Sequence, residues 1–427
     1  MITTALVVLL TLLLLALPVA GALGMLGVIL GEQYAFLPVH RAVGEMAWKV
    51  MNDPILVAIP LFVLLGEIML RSGMAQRMYA ALAHWLTWLP GGLMHSNVGA
   101  CTMFSAISGS SVATAATVGT VAIAEGQNQG YNERLFLGTL AAGGTLGILI
   151  PPSINMIVYG VLTETSIPSL YLAGIVPGLV LASLFMATVV ILCLVRPDWG
   201  GDRRRSSWSN RLRTLPDLMP PLFIFLTVIG SIYAGWATPT ESAALGVLAA
   251  LALTTLRPGS RLDGPRLRQI VEGTLQTTAM IIAILVAAYF LNFVMTSIGL
   301  TRQVNALITE LGLSPFETLM LIVAFYLILG MFMETLSMMI TTVPIITPVV
   351  VSLGYDPVWF GVVIMLLVET AMITPPVGIN LFVVHGVRGR GQLHDVMLGA
   401  APFVVTLLAT LAILIALPQL ALWLPSL

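Results

Sequence analysis

Long apolar runs alternate with short polar stretches along the whole chain. The runs lie near 3–31, 54–70, 93–107, 111–124, 135–160, 170–195, 219–236, 240–256, 275–296, 316–332, 336–353, 358–386 and 396–424. A helix needs about 20 apolar residues to cross a bilayer, so some of these runs can cross and others are too short to cross alone. The pattern predicts an all-α polytopic membrane protein.

The first apolar run is predicted to stay in the membrane. No basic residue precedes the run 3–31, and no small-residue cleavage site follows it, so it differs from a signal peptide. We expect either one long helix kinked at Pro18 or two short passes.

Two pairs of short runs are each divided by a few polar residues. The third and fourth runs are divided by the sequence Ser-Gly-Ser-Ser at 108–111, and the runs 316–332 and 336–353 are divided at Glu334 and Thr335. Non-helical backbone at membrane depth is tolerated only where protein or a watery cavity surrounds it. Each pair therefore predicts a re-entrant helical hairpin whose tip lies inside the protein.

The two halves of the chain resemble each other at a shift of about 224 residues. This shift places Pro151-Pro152 on Pro375-Pro376 and Gly130-Tyr131 on Gly354-Tyr355. Each half also has an amphipathic stretch, a hairpin and a long helix interrupted by Pro-Pro. Five predicted crossings, an odd number, separate the two amphipathic stretches, so the second half is inverted relative to the first. Inverted repeats with broken helices are typical of secondary transporters.

Composition and charge exclude other classes of protein. Only 9% of the residues are charged and 58% are hydrophobic, whereas ordinary soluble domains have about 25% charged residues. This composition excludes a soluble globular protein and a disordered chain. The net charge of −1 provides no basic surface for nucleic acid, and Cys101 and Cys193 resemble neither a disulfide framework nor a metal site.

The basic residues indicate the orientation in the membrane. Two arginine clusters, at 203–213 and 257–268, are separated by two apolar runs and can therefore lie on one side. Cytoplasmic loops carry the excess of Lys and Arg. When crossings are counted outward from these clusters, all 18 basic residues except Arg41, Lys49 and Arg302 fall on the cytoplasmic side.

The Pro-Pro breaks are the first candidates for chemistry. Proline has no amide hydrogen, so carbonyl groups four residues before Pro151-Pro152 and Pro375-Pro376 lose their helical donors. Unwound carbonyl groups at the membrane midplane are ligands for Na⁺, and the hydroxyl groups of a Ser-rich tip can coordinate the ion without adding charge. An ordinary proline kink is the alternative reading, and the symmetrical position of the two breaks favours function.

Three carboxylates lie within apolar runs, where they are functional candidates by default. Glu67 has a structural explanation, because Arg71 follows four residues later and can form an ion pair. Glu334, at the second tip, is predicted to contact a cation or the substrate, whereas Glu369 is either a ligand or a structural partner. The sequence 238–241, Thr-Pro-Thr-Glu, is explained as a helix capping box.

The sequence contains none of three common catalytic and nucleotide-binding motifs. It has no Walker A motif, no G-x-S-x-G and no H-E-x-x-H. We therefore expect a transport protein with no cofactor other than a coupling ion, and not an enzyme. A membrane-embedded enzyme would have to use Glu334 and Glu369 as its carboxylate pair.

The chain resembles the large membrane subunit of tripartite ATP-independent periplasmic (TRAP) transporters nearly from end to end. The resemblance rests on five stretches in this order, 89–92 (LPGG), 105–111 (SAISGSS), 147–153 (GILIPPS), 237–241 (ATPTE) and 374–380 (TPPVGIN). It implies a Na⁺-coupled, elevator-type importer of an organic acid. It also implies a small four-helix membrane subunit and a periplasmic substrate-binding protein as partners. Residues before 54 cannot hold four additional helices, so we expect the small subunit to be a separate chain.

The resemblance also implies two sodium sites and a substrate site. The first sodium site would consist of Ser108, Ser110, Gly147, Ile150 and Pro152. The second would consist of Glu334, Thr335, Ala371, Thr374 and Gly378. The substrate site would contain Ser111, Asn155, Ser166, Glu334 and Asn380, although Ser166 can also be read as a helix N-cap. Relatives typically have Asp at the second tip, where this chain has Glu334.

These expectations define a domain layout in a protein of the bacterial cytoplasmic (inner) membrane. The predicted parts are scaffold helices (1–70), an amphipathic arm (71–90), the first hairpin and broken helix (91–160), scaffold helices with the Arg-rich loop 196–213 (161–299), a second arm (300–315), the second hairpin and broken helix (316–386) and a C-terminal helix (387–427). The hairpins and broken helices would form the moving transport domain. A stand-alone Na⁺/dicarboxylate symporter of related architecture is the alternative function.

Overall fold

The computed structural model describes an all-helical protein at residues 1–15, 17–36, 38–126, 129–201, 207–256, 262–300, 303 and 312–427. The helices of the first half are α1 (Ile2–Leu14), α2 (Val19–Tyr34), α3 (Val43–Met51), α4 (Ala58–Arg71), α5 (Met74–Leu86), α6 (Leu93–Ser108), α7 (Ser111–Gly126), α8 (Glu133–Leu149), α9 (Ile154–Thr163) and α10 (Ile167–Val195). Those of the second half are α11 (Trp208–Thr214), α12 (Met219–Tyr233), α13 (Pro239–Leu256), α14 (Gly264–Ser297), α15 (Pro315–Gly330), α16 (Thr335–Ser352), α17 (Pro357–Met372), α18 (Ile379–Arg388), α19 (Leu393–Ala416) and α20 (Gln419–Leu422). Short 3₁₀ helices lie at Val39–Ala42, Pro197–Trp199, Leu215–Asp217 and Leu424–Ser426.

The prediction of a polytopic, all-helical membrane protein is confirmed. Six spans of the described residues are long and apolar enough to cross a membrane, or eight if each of two bent helix pairs counts as one span. The bend between α4 and α5 is 67°, because Gly73 adopts a left-handed conformation after α4 ends. Helix α5 lies within the stretch 71–90, whose assignment as an amphipathic arm stays a prediction. Most of the second predicted arm, 300–315, falls outside the described residues.

The predicted division of both hairpins and both long helices agrees with the structure. Helices α6 and α7 are separated at Gly109-Ser110, and α15 and α16 at residues 331–334. The two Pro-Pro sequences divide α8 from α9 and α17 from α18. The first apolar run forms two helices, α1 and α2, with Pro18 as the N-cap of α2. Two separate membrane passes in this run stay a prediction.

Helix packing separates the chain into two groups. We call α6–α10 together with α15–α20 the hairpin group, because these helices pack mainly against one another. We call α2–α4 together with α12–α14 the flanking group. Helix α10, which the sequence assigned to the scaffold, packs against α8, α17 and α19 of the hairpin group. Which helices move and which stay fixed remains a prediction.

The two ends of the molecule have different contacts. At one end, Arg71 donates to Gln269 (2.8 Å), Arg211 donates to the His84 carbonyl (3.2 Å) and Leu93 donates to the Tyr131 hydroxyl (3.0 Å). These contacts join loops that the sequence placed on the cytoplasmic side. The arginines at 203–205, 257, 261 and 302 lie outside the described residues.

The opposite end is held by hydrogen bonds from hydroxyl groups to backbone carbonyls. Thr240 donates to Pro54 (3.0 Å), Tyr233 to Pro168 (3.2 Å) and Tyr289 to Val161 (3.3 Å). The last two bonds join the flanking group to the hairpin group. Lys49, predicted on this side, lies 5.8 Å from the centre of the Tyr289 ring.

A cluster of ion pairs joins the two repeats within the hairpin group. The Arg388 guanidinium contacts Glu133 at 2.9 Å and Asp395 at 3.2 Å, and its side chain is only 5% exposed. Arg134 contacts the same Asp395 carboxylate at 3.0 Å. The cluster therefore fastens the start of α8 to the end of α18 and the start of α19.

Replacement of Arg388 by alanine is expected to lower the free energy of unfolding by about 2–3 kcal/mol. The reason is that two carboxylates lose a nearly buried cation. Arg268→Ala is the matched control, because Arg268 forms an ion pair with Glu272 in which the two side chains are 81% and 50% exposed respectively. This exposed pair should contribute less than about 0.5 kcal/mol to the free energy of unfolding. Thermal unfolding of the purified variants in detergent measures both effects, and equal losses would contradict this assignment.

Candidate functional site

The tip of the first hairpin turns at a glycine because no other residue fits there. Gly109 has φ of 59°, in the left-handed region. A Cβ atom at this position would also lie 2.7 Å from the Pro152 carbonyl oxygen. The glycine thus allows the tip to rest directly on the first Pro-Pro break.

A second glycine allows the same close approach from the side of helix α8. A Cβ atom on Gly147 would lie 2.7 Å from the carbonyl carbon and oxygen of Ser110 and 2.8 Å from the Ser111 nitrogen. Gly66 of α4 packs against Ser108 from the flanking group, where a Cβ atom would lie 3.4 Å from the Ser108 Cα. The tip is therefore enclosed between α8 and α4.

Polar groups of this tip form a small network. The Ser108 hydroxyl lies 3.0 Å from the Thr114 hydroxyl, and Thr114 donates to the Ser110 carbonyl at 2.7 Å. Ser110 Oγ accepts weakly from the Ala113 amide at 3.4 Å. Sequence reasoning missed Thr114, although its position four residues after Ser110 places it one helical turn away.

The break itself exposes carbonyl groups to this network. The last helical bond of α8 runs from the Ile150 amide to the Leu146 carbonyl (3.0 Å). Pro151 and Pro152 cannot donate to Gly147 and Ile148, whose carbonyl groups precede them by four residues. The structure thus brings Ser108, Ser110, Gly147 and Pro152 together. Ile150 lies in the same break, with its side chain packed towards Gly178 of α10.

The second tip is built differently from the first. Glu334 is the N-cap of α16, and one carboxylate oxygen accepts from the Ser337 amide (3.0 Å) and hydroxyl (2.9 Å). Its other oxygen accepts from the Thr335 hydroxyl at 2.9 Å. A negative side chain is favoured at a helix N-terminus, so the carboxylate has a local structural function in addition to any ligand function.

The other residues assigned to the second sodium site gather at the second break. The Thr374 hydroxyl donates to the Thr370 carbonyl (2.6 Å), and the Thr374 amide donates to Ala371 (3.2 Å). The Ala371 side chain packs against Gly330, four residues before Glu334. Gly378 begins α18 in the left-handed region with φ of 56°. The second break thus contains Ala371, Thr374 and Gly378. Through Ala371 it contacts α15, the helix that precedes the Glu334 tip.

Two of the predicted substrate residues connect the repeats. Ser111 Oγ donates to the sulfur of Met372, at the end of α17, at 3.0 Å. Asn380 is fully buried and donates to the Ala141 carbonyl of α8 at 3.2 Å. Asn155 is also buried, at the start of α9, and its amide nitrogen has no hydrogen-bond partner within the described chain.

Ser166 lies apart from the two breaks. It caps α10, accepting from the Ser169 amide at 3.4 Å, which confirms the N-cap reading. It also lines a cavity of about 1180 Å³ between the hairpin and flanking groups. Other polar residues of this cavity include Lys49, Tyr289 and Asn292. No local pattern in the sequence predicts this cavity, because its walls come from distant parts of the chain.

The acidic residues of the apolar runs have different surroundings. Glu67 accepts from Arg71 at 2.8 Å, as predicted. The capping box at 238–241 is also confirmed, because the Glu241 carboxylate accepts from the Thr238 amide at 2.8 Å and Thr238 Oγ1 accepts from the Glu241 amide at 3.3 Å. Glu369 is fully buried, and neither carboxylate oxygen has a hydrogen-bond partner among the described residues.

Comparison with known proteins identifies the family. The profile of the family described as "Tripartite ATP-independent periplasmic transporter, DctM component" matches residues 6–420. The chain belongs to the DctM family. The protein is therefore a permease component of a TRAP transporter and not an enzyme, and the resemblance inferred from the motifs is confirmed.

Two curated relatives have similar length. The chain is 36% identical over 383 residues to the C4-dicarboxylate TRAP transporter large permease protein DctM of Pseudomonas aeruginosa, covering 87% of this chain and 86% of the relative. It is 35% identical over 374 residues to the ectoine/5-hydroxyectoine TRAP transporter large permease protein UehC of Ruegeria pomeroyi, with the same coverage.

A solved structure has the same fold. The YdaH transporter of Alcanivorax borkumensis superposes with a TM-score of 0.66 at 15% sequence identity, covering 95% of this chain and 96% of that chain. At this identity the likeness concerns the fold alone. The shared fold is all-helical, with bent and re-entrant helix pairs.

Proposed function

We propose that this DctM protein is the large permease subunit of a Na⁺-driven importer of a small organic acid. The observation that carries the proposal is the contact of the Ser-rich tip with the first break, where Gly109 rests on Pro152 and Gly147 rests on Ser110. This arrangement supplies hydroxyl and carbonyl oxygens without a net charge, which suits a monovalent cation.

The relatives support the substrate class. The Pseudomonas aeruginosa protein is named for C4-dicarboxylates and the Ruegeria pomeroyi protein for ectoine and 5-hydroxyectoine, all of which carry a carboxylate. In our proposal the substrate lies between the two tips, where Ser111, Asn155 and Glu334 meet the breaks. Ser166 lines the cavity through which the substrate would approach.

The family description also supports the partners and the location. A tripartite, periplasmic transporter has two components besides the permease. We propose a separate small four-helix membrane subunit and a periplasmic substrate-binding protein. The assembly would lie in the bacterial cytoplasmic membrane, with the cluster around Arg388 facing the cytoplasm.

In this proposal, sodium binding at the two hairpin tips couples sodium transport to substrate transport. Sodium at the first site joins Ser108 and Ser110 to the carbonyl groups of the first break and so fixes the tip. A second sodium at Thr335, Ala371, Thr374 and Gly378 would fix the second tip. A substrate that binds only between ordered tips gains affinity from sodium, and sodium gains affinity from the substrate by the same factor. The hairpin group would then carry both across the membrane by an elevator movement.

Ser110→Ala is expected to lower sodium-dependent uptake and to raise the sodium concentration needed for half-maximal uptake at least fivefold. The reason is that one hydroxyl ligand is lost, and a coupling of about 1 kcal/mol corresponds to this factor. The measurement is succinate uptake into proteoliposomes that contain both membrane subunits, in the presence of a periplasmic succinate-binding protein. Ectoine is the second substrate to be tested.

The control is Ser183→Ala on α10. Its hydroxyl donates to the Leu179 carbonyl of its own helix on an exposed face, so uptake should not change. Unchanged sodium dependence in Ser110→Ala would refute the first sodium site. Uptake without any binding protein would favour the stand-alone symporter.

A further inference from the structure

Helix α11 and the residue that follows it form an exposed apolar stripe. Trp208, Leu212 and Leu215 follow one another at spacings of four and three residues, so their side chains point to the same side of the helix. All three side chains are exposed, and Trp208 is 68% exposed. The described part of the chain therefore leaves this stripe uncovered, and exposure of such apolar surface to water is unfavourable.

The stripe continues onto the outer surface of a helix that is apolar enough to lie in the membrane. The segment Trp208–Asp217 is bent by 44° from α12, and the two together satisfy the length and hydropathy of a membrane span. On α12 the exposed residues Met219, Phe223 and Leu226 continue the same spacing after Leu215. An apolar surface that faces lipid on α12 and runs on across the bend meets the boundary of the same bilayer on α11.

An arginine lies at the edge of this stripe. The Arg211 guanidinium is 5.0 Å from the centre of the Trp208 ring, and its Nε donates to the His84 carbonyl of α5 at 3.2 Å. These two contacts leave both terminal amino groups of the guanidinium free to donate, and among the described residues no carboxylate pairs with Arg211. Arginine and tryptophan side chains combine in this way where protein meets lipid headgroups.

The surrounding segment is positively charged. Residues 196–217 contain six arginines and three aspartates, a net charge of +3 in a chain whose net charge is −1. A second pair of the same kind lies at the end of α10, where Arg196 is 5.1 Å from the centre of the Trp199 ring beside the exposed Leu194 and Val195. Clusters of basic residues next to a membrane helix attract the anionic lipids of the cytoplasmic leaflet, so the charge complements an anionic membrane surface.

We propose that α11 is an interfacial helix that binds an anionic phospholipid. The stripe lies among the upper parts of the acyl chains, and the free amino groups of Arg211 donate to the headgroup phosphate. Trp208 and Arg211 also contact α5, through the Trp85 ring (6.4 Å between ring centres, edge to face) and the His84 carbonyl. The bound lipid therefore holds α5 at the membrane surface. The proposal depends neither on the substrate nor on sodium.

Native mass spectrometry of the purified permease with added lipid tests the headgroup contact. Phosphatidylglycerol is the anionic probe, and phosphatidylcholine has the same phosphate without a net charge. The wild-type protein is expected to bind phosphatidylglycerol more tightly. Arg211→Gln should weaken that binding about fivefold, the factor expected for one arginine at an anionic surface.

Arg213→Gln is the matched control, because it removes the same charge from the same helix. Residues 211 and 213 lie about 200° apart around the helix, so Arg213 points away from the edge of the stripe that carries Arg211. Its removal should change the affinity for phosphatidylglycerol much less. Equal losses in the two variants would show attraction to net charge without a built contact and would overturn the site. Equal binding of both lipids by the wild-type protein would overturn it without any variant.

Quenching of tryptophan fluorescence by brominated phosphatidylglycerol tests the occupant of the stripe. The samples are liposomes that contain the permease together with its small membrane subunit, and the difference between wild-type protein and Trp208→Phe isolates the emission of Trp208. This emission is expected to be quenched by lipid that carries bromine high on the acyl chains. If it is not quenched, the stripe lies in water or is covered by the other subunit, and the proposal fails. Neither experiment measures uptake, so a failure here leaves the transport function untouched.

Discussion

Sodium-dependent uptake is expected to fall when Gly147 is replaced by alanine, with at least a tenfold weaker activation by sodium. The new Cβ atom would lie 2.7 Å from the carbonyl carbon and oxygen of Ser110. Both atoms are backbone, so no side chain can rotate away, and the tip must move off the first break. A tenfold change corresponds to about 1.4 kcal/mol, a modest amount for the loss of a ligand.

Gly119→Ala is the matched control for this substitution. Gly119 lies on α7 of the same hairpin, and a Cβ atom there would meet only Val387 Cγ1, at an ordinary 3.7 Å. Titration of succinate uptake with sodium separates the two variants. If Gly147→Ala responds to sodium like Gly119→Ala, the tip does not depend on its contact with α8, and the first site is misplaced.

The largest loss of stability is expected from Gly138→Ala. Helices α8 and α19 approach so closely that a Cβ atom on Gly138 would overlap the Gly399 carbonyl group, and one on Gly399 would overlap the Arg134 carbonyl. Small residues permit such contact between membrane helices. Overpacking of a rigid interface typically lowers the free energy of unfolding by about 1–3 kcal/mol. Because this contact is between two backbones, we expect Gly138→Ala to lower it by about 3 kcal/mol.

Gly386→Ala gives the comparison, because no atom lies within 4 Å of its Cβ position in α18. Alanine should be neutral there or slightly stabilising, by up to about 1 kcal/mol, since it favours helix. The melting temperatures in detergent and the yields of monodisperse protein measure both changes. If Gly138→Ala were as stable as Gly386→Ala, α8 and α19 would be able to move apart without loss of protein stability, which would contradict the prediction.

Sequence reasoning succeeded where the deciding interactions are local. The Glu67–Arg71 ion pair and the capping box at 238–241 involve residues three or four positions apart, and the structure confirms both. The hairpin divisions and the Pro-Pro breaks are local as well, because proline removes a donor wherever it occurs. These features are sufficient to predict most helix boundaries near the tips.

The features that were missed depend on distant parts of the chain. Arg388 was counted only as a cytoplasmic charge, although it is nearly buried between Glu133 and Asp395. The isolation of Glu369 depends on which helices surround α17, and no spacing along the sequence reveals that. The local cap of Glu334 was recoverable, because Ser337 lies three residues later as in an N-cap. The sodium and substrate sites themselves remain predictions.

The hydrogen bonds of Tyr233 and Tyr289, at the end opposite the Arg71–Gln269 contact, have a consequence for any sliding between the helix groups. Tyr233 and Tyr289 join the flanking group to the hairpin group through single bonds to the carbonyls of Pro168 and Val161. A phenol and a carbonyl that separate are rehydrated, so each bond opposes displacement by only about 1 kcal/mol. The ion pairs around Arg388 lie within the hairpin group and would travel with it unbroken. These contacts would therefore oppose a displacement of the hairpin group along the flanking group only weakly.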